Sequence, residues 1–553
     1  MNSGTTSGGR RWLAAVPVLI VAAAPWLANT PGETLLGFPA LLTWMLAALL
    51  TTSAVLSVMP RASLSSIAER APTDVDAVPA PSPLERWALG GRSFGSVLVF
   101  VLLAGEIYTT FTLLGASGWA YGRGAPTFYI LGYGALAYLM SYWLLPAIWQ
   151  RGRADRVLTQ PEFFARAFSS PLLGRFVALV GVLSLLPYLV LQFRGLSILV
   201  HESAYGALSR ELAVSIGAVT VVAWVVLGGM KTSAYAALAK DVLVLVAVVA
   251  LGLLIPQAVY GGVGAMFDAQ IARDPQFFVL PARGFSPSWF LSTVLVSVVG
   301  FYLWPHTFAS LFTARSPRGF ERTAITMPLY QLVMLFVFFV GFAARDVVPG
   351  LTGADIDLAL LRSTRSVMGP FMMLLVGTAG LLTALVPSAI ILMTMATILV
   401  QLRHPPLSRP DEQTAANDLR IARWLVPAVA LVAWWWSRQS NTALVPILLL
   451  AYAMVAQIAP ALALALWAPG RLRVSFIIAG ILVGELCVGA SLWPDLAVAA
   501  RLAAWWPTLP SFLYDINPGL FALVLNVSVL AIGAIAGRST GTSTPTRHMT
   551  NGD

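Results

Sequence analysis

The chain has 553 residues, 58% of them hydrophobic and only 10% charged, with a mean hydropathy of +0.80. Soluble domains carry roughly 25% charged residues, and a globule of this length could not hide so much apolar surface, so soluble and disordered classes are excluded and a polytopic membrane protein remains. The net charge of +10 rests on arginine, because Lys231 and Lys240 are the only lysines among 34 basic residues.

A helix needs roughly 20 apolar residues to cross the hydrocarbon. In chain order, such runs fall near 12–28, 38–59, 94–116, 127–149, 173–201, 212–228, 240–260, 288–312, 324–343, 366–400, 424–437, 442–467, 474–493 and 518–537, which gives about 14 spans. Arg10 and Arg11 precede the first run. Pro25 and Trp26 close it with no small-residue cleavage site after it, so it is expected to be a retained span rather than a signal peptide. Residues 60–93, rich in Pro, Ser and Ala, are expected to be a cytoplasmic linker, and 538–553 a disordered polar tail. The remaining division is two N-terminal spans in 1–59, a ten-helix core in 94–467 and two trailing spans in 468–537.

The basic residues sit in short loops. With alternating sides and a cytoplasmic N-terminus, 24 fall on the cytoplasmic side and 9 opposite, with Arg194 inside a span. This bias predicts both termini inside a cell membrane and an even number of spans. No basic stripe with interleaved aromatics suggests nucleic acid. The single cysteine, Cys487, lies in an apolar run with no Cys/His cluster for a metal. No phosphate loop, HExxH or nucleophile elbow supports an enzyme.

Four spans carry polar residues that a lipid-facing helix would avoid. In VLVFVLLAGEIYTTFTLLG, Glu106 stands in an apolar run beside Gly105, Thr109, Thr110 and Thr112. A charge at the bilayer centre costs roughly 2.5–3.5 kcal/mol on insertion scales, so Glu106 is expected to face the bundle interior. The glycine and hydroxyls suit a broken helix whose carbonyls hold a cation. In PYLVLQFRG, Gln192 can hydrogen-bond a substrate and Arg194 can pair with Glu106 or a substrate carboxylate, although residues two apart point about 200° from each other. In VSVVGFYLWPHTF, Pro305 and Gly300 bracket Trp304, predicting a second interrupted helix with His306 as a candidate proton relay. In LLTALVPSAIILMTMATILV, Thr383, Ser388, Thr394 and Thr397 offer oxygens to a hard cation. The two interrupted segments lie five spans apart and each opens a run of five. Five is odd, so the two runs form an inverted repeat with a binding site at the midplane.

The stretches WALGGRSFG, GEIYTTFTLLGASGWAYGRG, LTQPEFFARAFSS, LLPYLVLQFRG, VLGGMKTS and LWPHTF, in this order, resemble the sodium:solute symporter family, most nearly its monocarboxylate-permease branch, over about 87–537. The resemblance implies an all-α LeuT-type 5+5 inverted-repeat fold and ion-coupled uptake without an organic cofactor. It implies sodium held by the carbonyls of Gly105 and Tyr108 and by Ser388. Pro387 stands where the family has a second hydroxyl, so proton coupling through Glu106 is the competing expectation. The N-terminal PWLANTPGETLLGFPALLTWMLAALL also resembles a small two-helix membrane protein usually encoded beside such permeases, here fused. The expected activity is symport of a small monocarboxylate such as acetate, propionate, lactate or pyruvate, by a monomer in the lipid bilayer. Glu106, Thr109, Thr110, Gln192, Arg194, Trp304 and His306 are the expected binding residues. Symport of proline, a sugar or pantothenate, or a transporter-like sensor, are the alternatives.

Overall fold

The computed structural model describes residues 11–59, 80–404, 411–439, 442–492 and, within 501–539, all but 502, 503, 507, 509, 511 and 512. The polar tail from 540 and the expected linker from 60 to 79 lie outside these residues, and with them Arg10, Arg61, Arg70, Arg409 and Arg547. Among the described residues the chain is nearly all helical. The only strands among the described residues are the two-residue pair Thr34–Leu35 and Phe38–Pro39, antiparallel, at the tip of the N-terminal helical hairpin.

Among the described residues, eight helices are long and apolar enough to cross a bilayer, or nine when the bent pair Pro287–Phe301 and Pro305–Phe312 counts as one. Several of the 14 expected runs fall short of that length or are broken or merged, so they do not enter this count. Arg11–Leu27, Ser96–Gly105 and Val474–Ala490 are apolar but shorter. Arg210–Tyr260 is a continuous helical stretch of 51 residues that contains two expected spans. At 1.5 Å per residue it would run about 75 Å, more than twice the hydrocarbon thickness. It is broken at Gly229, whose φ of 66° and ψ of −164° are non-helical. The loop expected between these spans therefore contracts to one residue. The segment expected at 424–437 belongs to the longer helix Glu412–Gln439.

The centre of the bundle is built from Pro171–Ser203 and Pro370–Gln401, which pack against each other. The apolar window of Pro370–Gln401 is 89% buried, against 22% for Pro518–Ala536, so the former has almost no lipid face and the latter is peripheral. The first broken helix begins where Phe94 forms a parallel bridge with Ala314, just past the end of the second broken helix. Phe94 N–H donates to Thr313 O at 3.1 Å and Arg315 N–H to Phe94 O at 2.9 Å.

The last part of the expected linker is ordered. Pro83–Leu89 is helical, capped by Ser82 at its start and closed by Gly90 in the left-handed region. Trp87 Nε1 donates to Val225 O at 3.1 Å, and Glu85 pairs with Arg92, whose guanidinium also reaches Val157 O. A buried anchor and an ion pair fix what composition alone reads as a solvated tether.

The N-terminal hairpin, Ala15–Leu27 and Ala40–Val58, docks on the core through Asn29. Its Nδ2 donates to Leu280 O at 3.1 Å and its Oδ1 accepts from Leu280 N–H at 2.6 Å. Ser53 Oγ donates to Ile325 O at 2.7 Å. Asn29→Ala removes both halves of the reciprocal pair and is expected to cost about 1–3 kcal/mol. This will appear as a lower unfolding temperature in detergent, with Thr30→Ala as a surface control; equal temperatures for the two variants would refute the anchoring role.

Candidate functional site

After Ser96–Gly105, residues 106–109 leave the helix; the chain resumes at Thr110 with a widened turn over Phe111–Gly115 and continues as Ala116–Arg123. The local sequence causes the break. Tyr108 N–H and Ile107 N–H both reach back to Ala104 O, at 3.2 and 2.9 Å. Thr109 then restarts the helix: its Oγ1 accepts from Phe111 N–H at 3.2 Å, while Thr112 Oγ1 accepts from Thr109 N–H at 2.8 Å. The carbonyls within the break are met by side chains from other helices. Lys240 Nζ donates to Gly105 O and Tyr108 O, each at 2.9 Å, and Tyr188 OH donates to Glu106 O at 3.4 Å.

The second break, residues 302–304, bends the helix by 43°. Leu303 O is met by Gln160 Nε2 at 2.5 Å. The two breaks are joined through Glu106, whose carboxylate accepts from Thr307 Oγ1 at 2.7 Å and Ser310 Oγ at 2.5 Å. Glu106 thus faces the mate helix and not lipid, in accord with the cost of exposing a charge there.

Between the breaks lies one face of Pro171–Ser203. Tyr188 and Gln192 are one turn apart and share that face. The Tyr188 ring packs on Trp304 at 5.1 Å and on His306 at 5.6 Å, and Trp304 packs on Tyr452 at 5.2 Å. Gln192 Oε1 accepts from Thr110 Oγ1 at 2.8 Å, while its buried Nε2 has no hydrogen-bond partner in the structure. Gly195 continues the same face. A Cβ there would lie 2.4 Å from Thr110 Cβ, so glycine permits the broken segment to lie this close. Thr109, Thr110, Gln192, Trp304 and His306 are all 3% exposed or less, so the site is closed.

The structure therefore gathers Gly105, Glu106, Tyr108, Thr109, Thr110, Gln192, Trp304 and His306 around the two breaks. Arg194 is not among them. Its guanidinium donates to Thr442 O, and the expected pairing with Glu106 is not formed. The cause is the 200° offset from Gln192, which points the two side chains to different neighbours. Ser388 Oγ donates to Ala384 O at 2.6 Å, as Thr383 does to Gly380 O and Thr397 to Met393 O, so these hydroxyl protons stay on their own helix. Thr394 Oγ1 is buried without a hydrogen-bond partner.

Lys240 was expected as a loop charge that helps set orientation. It is fully buried in the bundle, eleven residues beyond the break at Gly229, so the cytoplasmic count falls to 23 against 9. Tyr188, Thr307, Ser310 and Gln160 were also missed as site residues. For Lys240 a signal existed: it lies on a stripe with Ala234, Ala237, Val244 and Val248, spaced three or four apart, all of which are buried. A separate cavity of about 250 Å³ opens among Arg92, Arg156, Glu162, Arg166 and Gln401, and none of the expected binding residues lines it.

Comparison with known proteins places this geometry in context. The model of the sodium:solute symporter family matches residues 87–484. The chain is 44% identical over 448 residues to the uncharacterised symporter YhjB of Bacillus subtilis (strain 168), covering 81% of this chain and 90% of that protein. It is 30% identical to the uncharacterised symporter YodF of the same organism, over 72% of this chain and 80% of that one. It is 27% identical to a monocarboxylate transport permease protein of Rhizobium johnstonii, over 48% of this chain and 56% of that one. A solved Na+-coupled sialic acid symporter shares the fold with a TM-score of 0.65 at 16% identity, over 90% of this chain and 97% of that one.

Proposed function

From the premise that the chain belongs to the sodium:solute symporter family, we propose that it is a symporter for a small monocarboxylate such as acetate, propionate, lactate or pyruvate. Family membership makes it a membrane transporter and not an enzyme, with sodium as the coupling ion the family implies. The substrate class rests on one observation above the others. Gln192 is held by Thr110 through its oxygen, which leaves its amide N–H groups as buried donors with no partner in the protein. A buried unpaired donor costs about 1–3 kcal/mol, a cost that a bound acceptor such as a carboxylate offsets.

Supporting features agree in sign and size. The helix that resumes at Thr110 presents its positive end toward the break, which favours an anion. Tyr188, one turn from Gln192, and Trp304 packed on it place aromatic rings beside the amide, which suits a short acid with a small apolar tail. The Rhizobium relative's name points the same way. In this reading the protein lies in the cell membrane with both termini cytoplasmic, and one helix group rocks against the other to alternate access.

The test is uptake of labelled pyruvate into proteoliposomes, with competition by unlabelled acetate, propionate and lactate. Short acids are expected to compete, and proline, glucose and pantothenate to leave uptake unchanged. Absence of uptake for every short acid, under imposed sodium and imposed proton gradients alike, would sink the assignment.

A further inference from the structure

We infer that Lys240 is a tethered cation occupying the position where the family implies sodium, so that this chain takes no sodium ion at the Gly105–Tyr108 carbonyls. The inference rests on membership of the symporter family but not on the monocarboxylate assignment. Those two carbonyls, expected to ligate sodium, each accept a hydrogen bond from the same ammonium at 2.9 Å. The contacts are of ordinary charge-assisted length. The third neighbour of Nζ is the carboxylate of Asp241, at 3.0 Å. Of the ammonium's three donors, two go to these carbonyls, and the Asp241 carboxylate stands at ion-pair distance.

Burial makes this arrangement obligatory rather than incidental. Lys240 is fully buried, and an isolated ammonium in such a place must find oxygen partners or be strongly penalised. The break in the first helix supplies those oxygens. A sodium ion on the same carbonyls would sit against a like charge with no solvent between them, and it would have to displace the lysine. The other half of the expected cage is also reduced. Pro387 offers no hydroxyl, which leaves Ser388 alone of the expected hydroxyl pair. The charged groups around Nζ are Asp241 on its own helix and Glu106 on the broken helix; Tyr108 adds a phenol, bonded to Tyr330 O at 2.7 Å. A built-in cation thus performs the electrostatic work of holding the broken segment together.

The experiment uses radiolabelled sodium alone, on the purified full chain in nanodiscs at constant ionic strength with choline as the replacing cation. Wild-type protein is expected to show no saturable sodium binding. Lys240→Ala, which releases both carbonyls, is expected to gain it. Saturable binding by the wild type, or equal binding by wild type and variant, would overturn the inference. The wild-type measurement decides even if the variant does not fold, and neither arm needs a known substrate. In proteoliposomes, an inward sodium gradient is expected to change the initial rate of pyruvate uptake less than about twofold; a larger sodium-driven increase would also overturn it. Failure of pyruvate to enter at all would count against the substrate assignment alone.

Discussion

Replacing Gln192 with leucine is expected to lower kcat/KM for pyruvate uptake by about tenfold to a hundredfold. The side chain keeps its approximate volume, so packing is largely retained, but the unpaired Nε2 donors are lost and Thr110 Oγ1 loses its acceptor. One or two buried hydrogen bonds at about 1–3 kcal/mol correspond to that range. The substitution Gln192→Glu separates this account from a general loss of shape. A carboxylate in the same place repels an anionic substrate while still accepting from Thr110, so uptake should fall further than in Gln192→Leu. If Gln192→Glu transports pyruvate better than Gln192→Leu, the residue does not meet the substrate carboxylate.

The second large effect is expected at Gly229. Its φ of 66° with ψ of −164° is a backbone region essentially restricted to glycine, where a side chain costs about 1–3 kcal/mol. A Cβ there would also lie 2.8 Å from Trp87 Cδ1, on the ring whose Nε1 is bonded to Val225 O. Gly229→Ala is therefore expected to lower the unfolding temperature clearly and to reduce uptake by shifting where the following helix begins. Gly264→Ala is the control, because a Cβ there meets nothing within 4 Å and its φ is not in the left-handed region. Equal stability of the two variants would show that the break at Gly229 tolerates a side chain.

These two positions also measure how far the sequence can be read. Gln192 stands out as an amide in an apolar run, and the cost of an unpartnered amide in lipid already argues for a polar neighbour. Glu106 stands out for the same reason, and its glycine and threonine neighbours already signal a broken helix. What the run could not supply was the partner. Thr307 and Ser310 lie 201 and 204 residues away, and each reads locally as an ordinary hydroxyl in a helix. Arg194 shows the converse case: its charge inside a span is conspicuous, yet its helical offset sends it to Thr442 O.

Composition and periodicity determined that this chain lives in a bilayer, that two of its helices are interrupted at mated positions, and that an acid lies at the first interruption. These follow from local terms, because the bilayer penalises every charge and every unbonded backbone group wherever it occurs. Only the tertiary structure decided what fills the first interruption. Lys240 reads as a loop charge as long as eleven residues are allotted to a turn, and it becomes a buried cation once Gly229 alone makes that break. The position of a span along its helix is set by the dihedral angles of a single residue and by packing between helices distant in sequence. Periodicity marks the stripe on which the lysine lies but not its partners, so its bond to the two carbonyls emerges only when the helices are assembled.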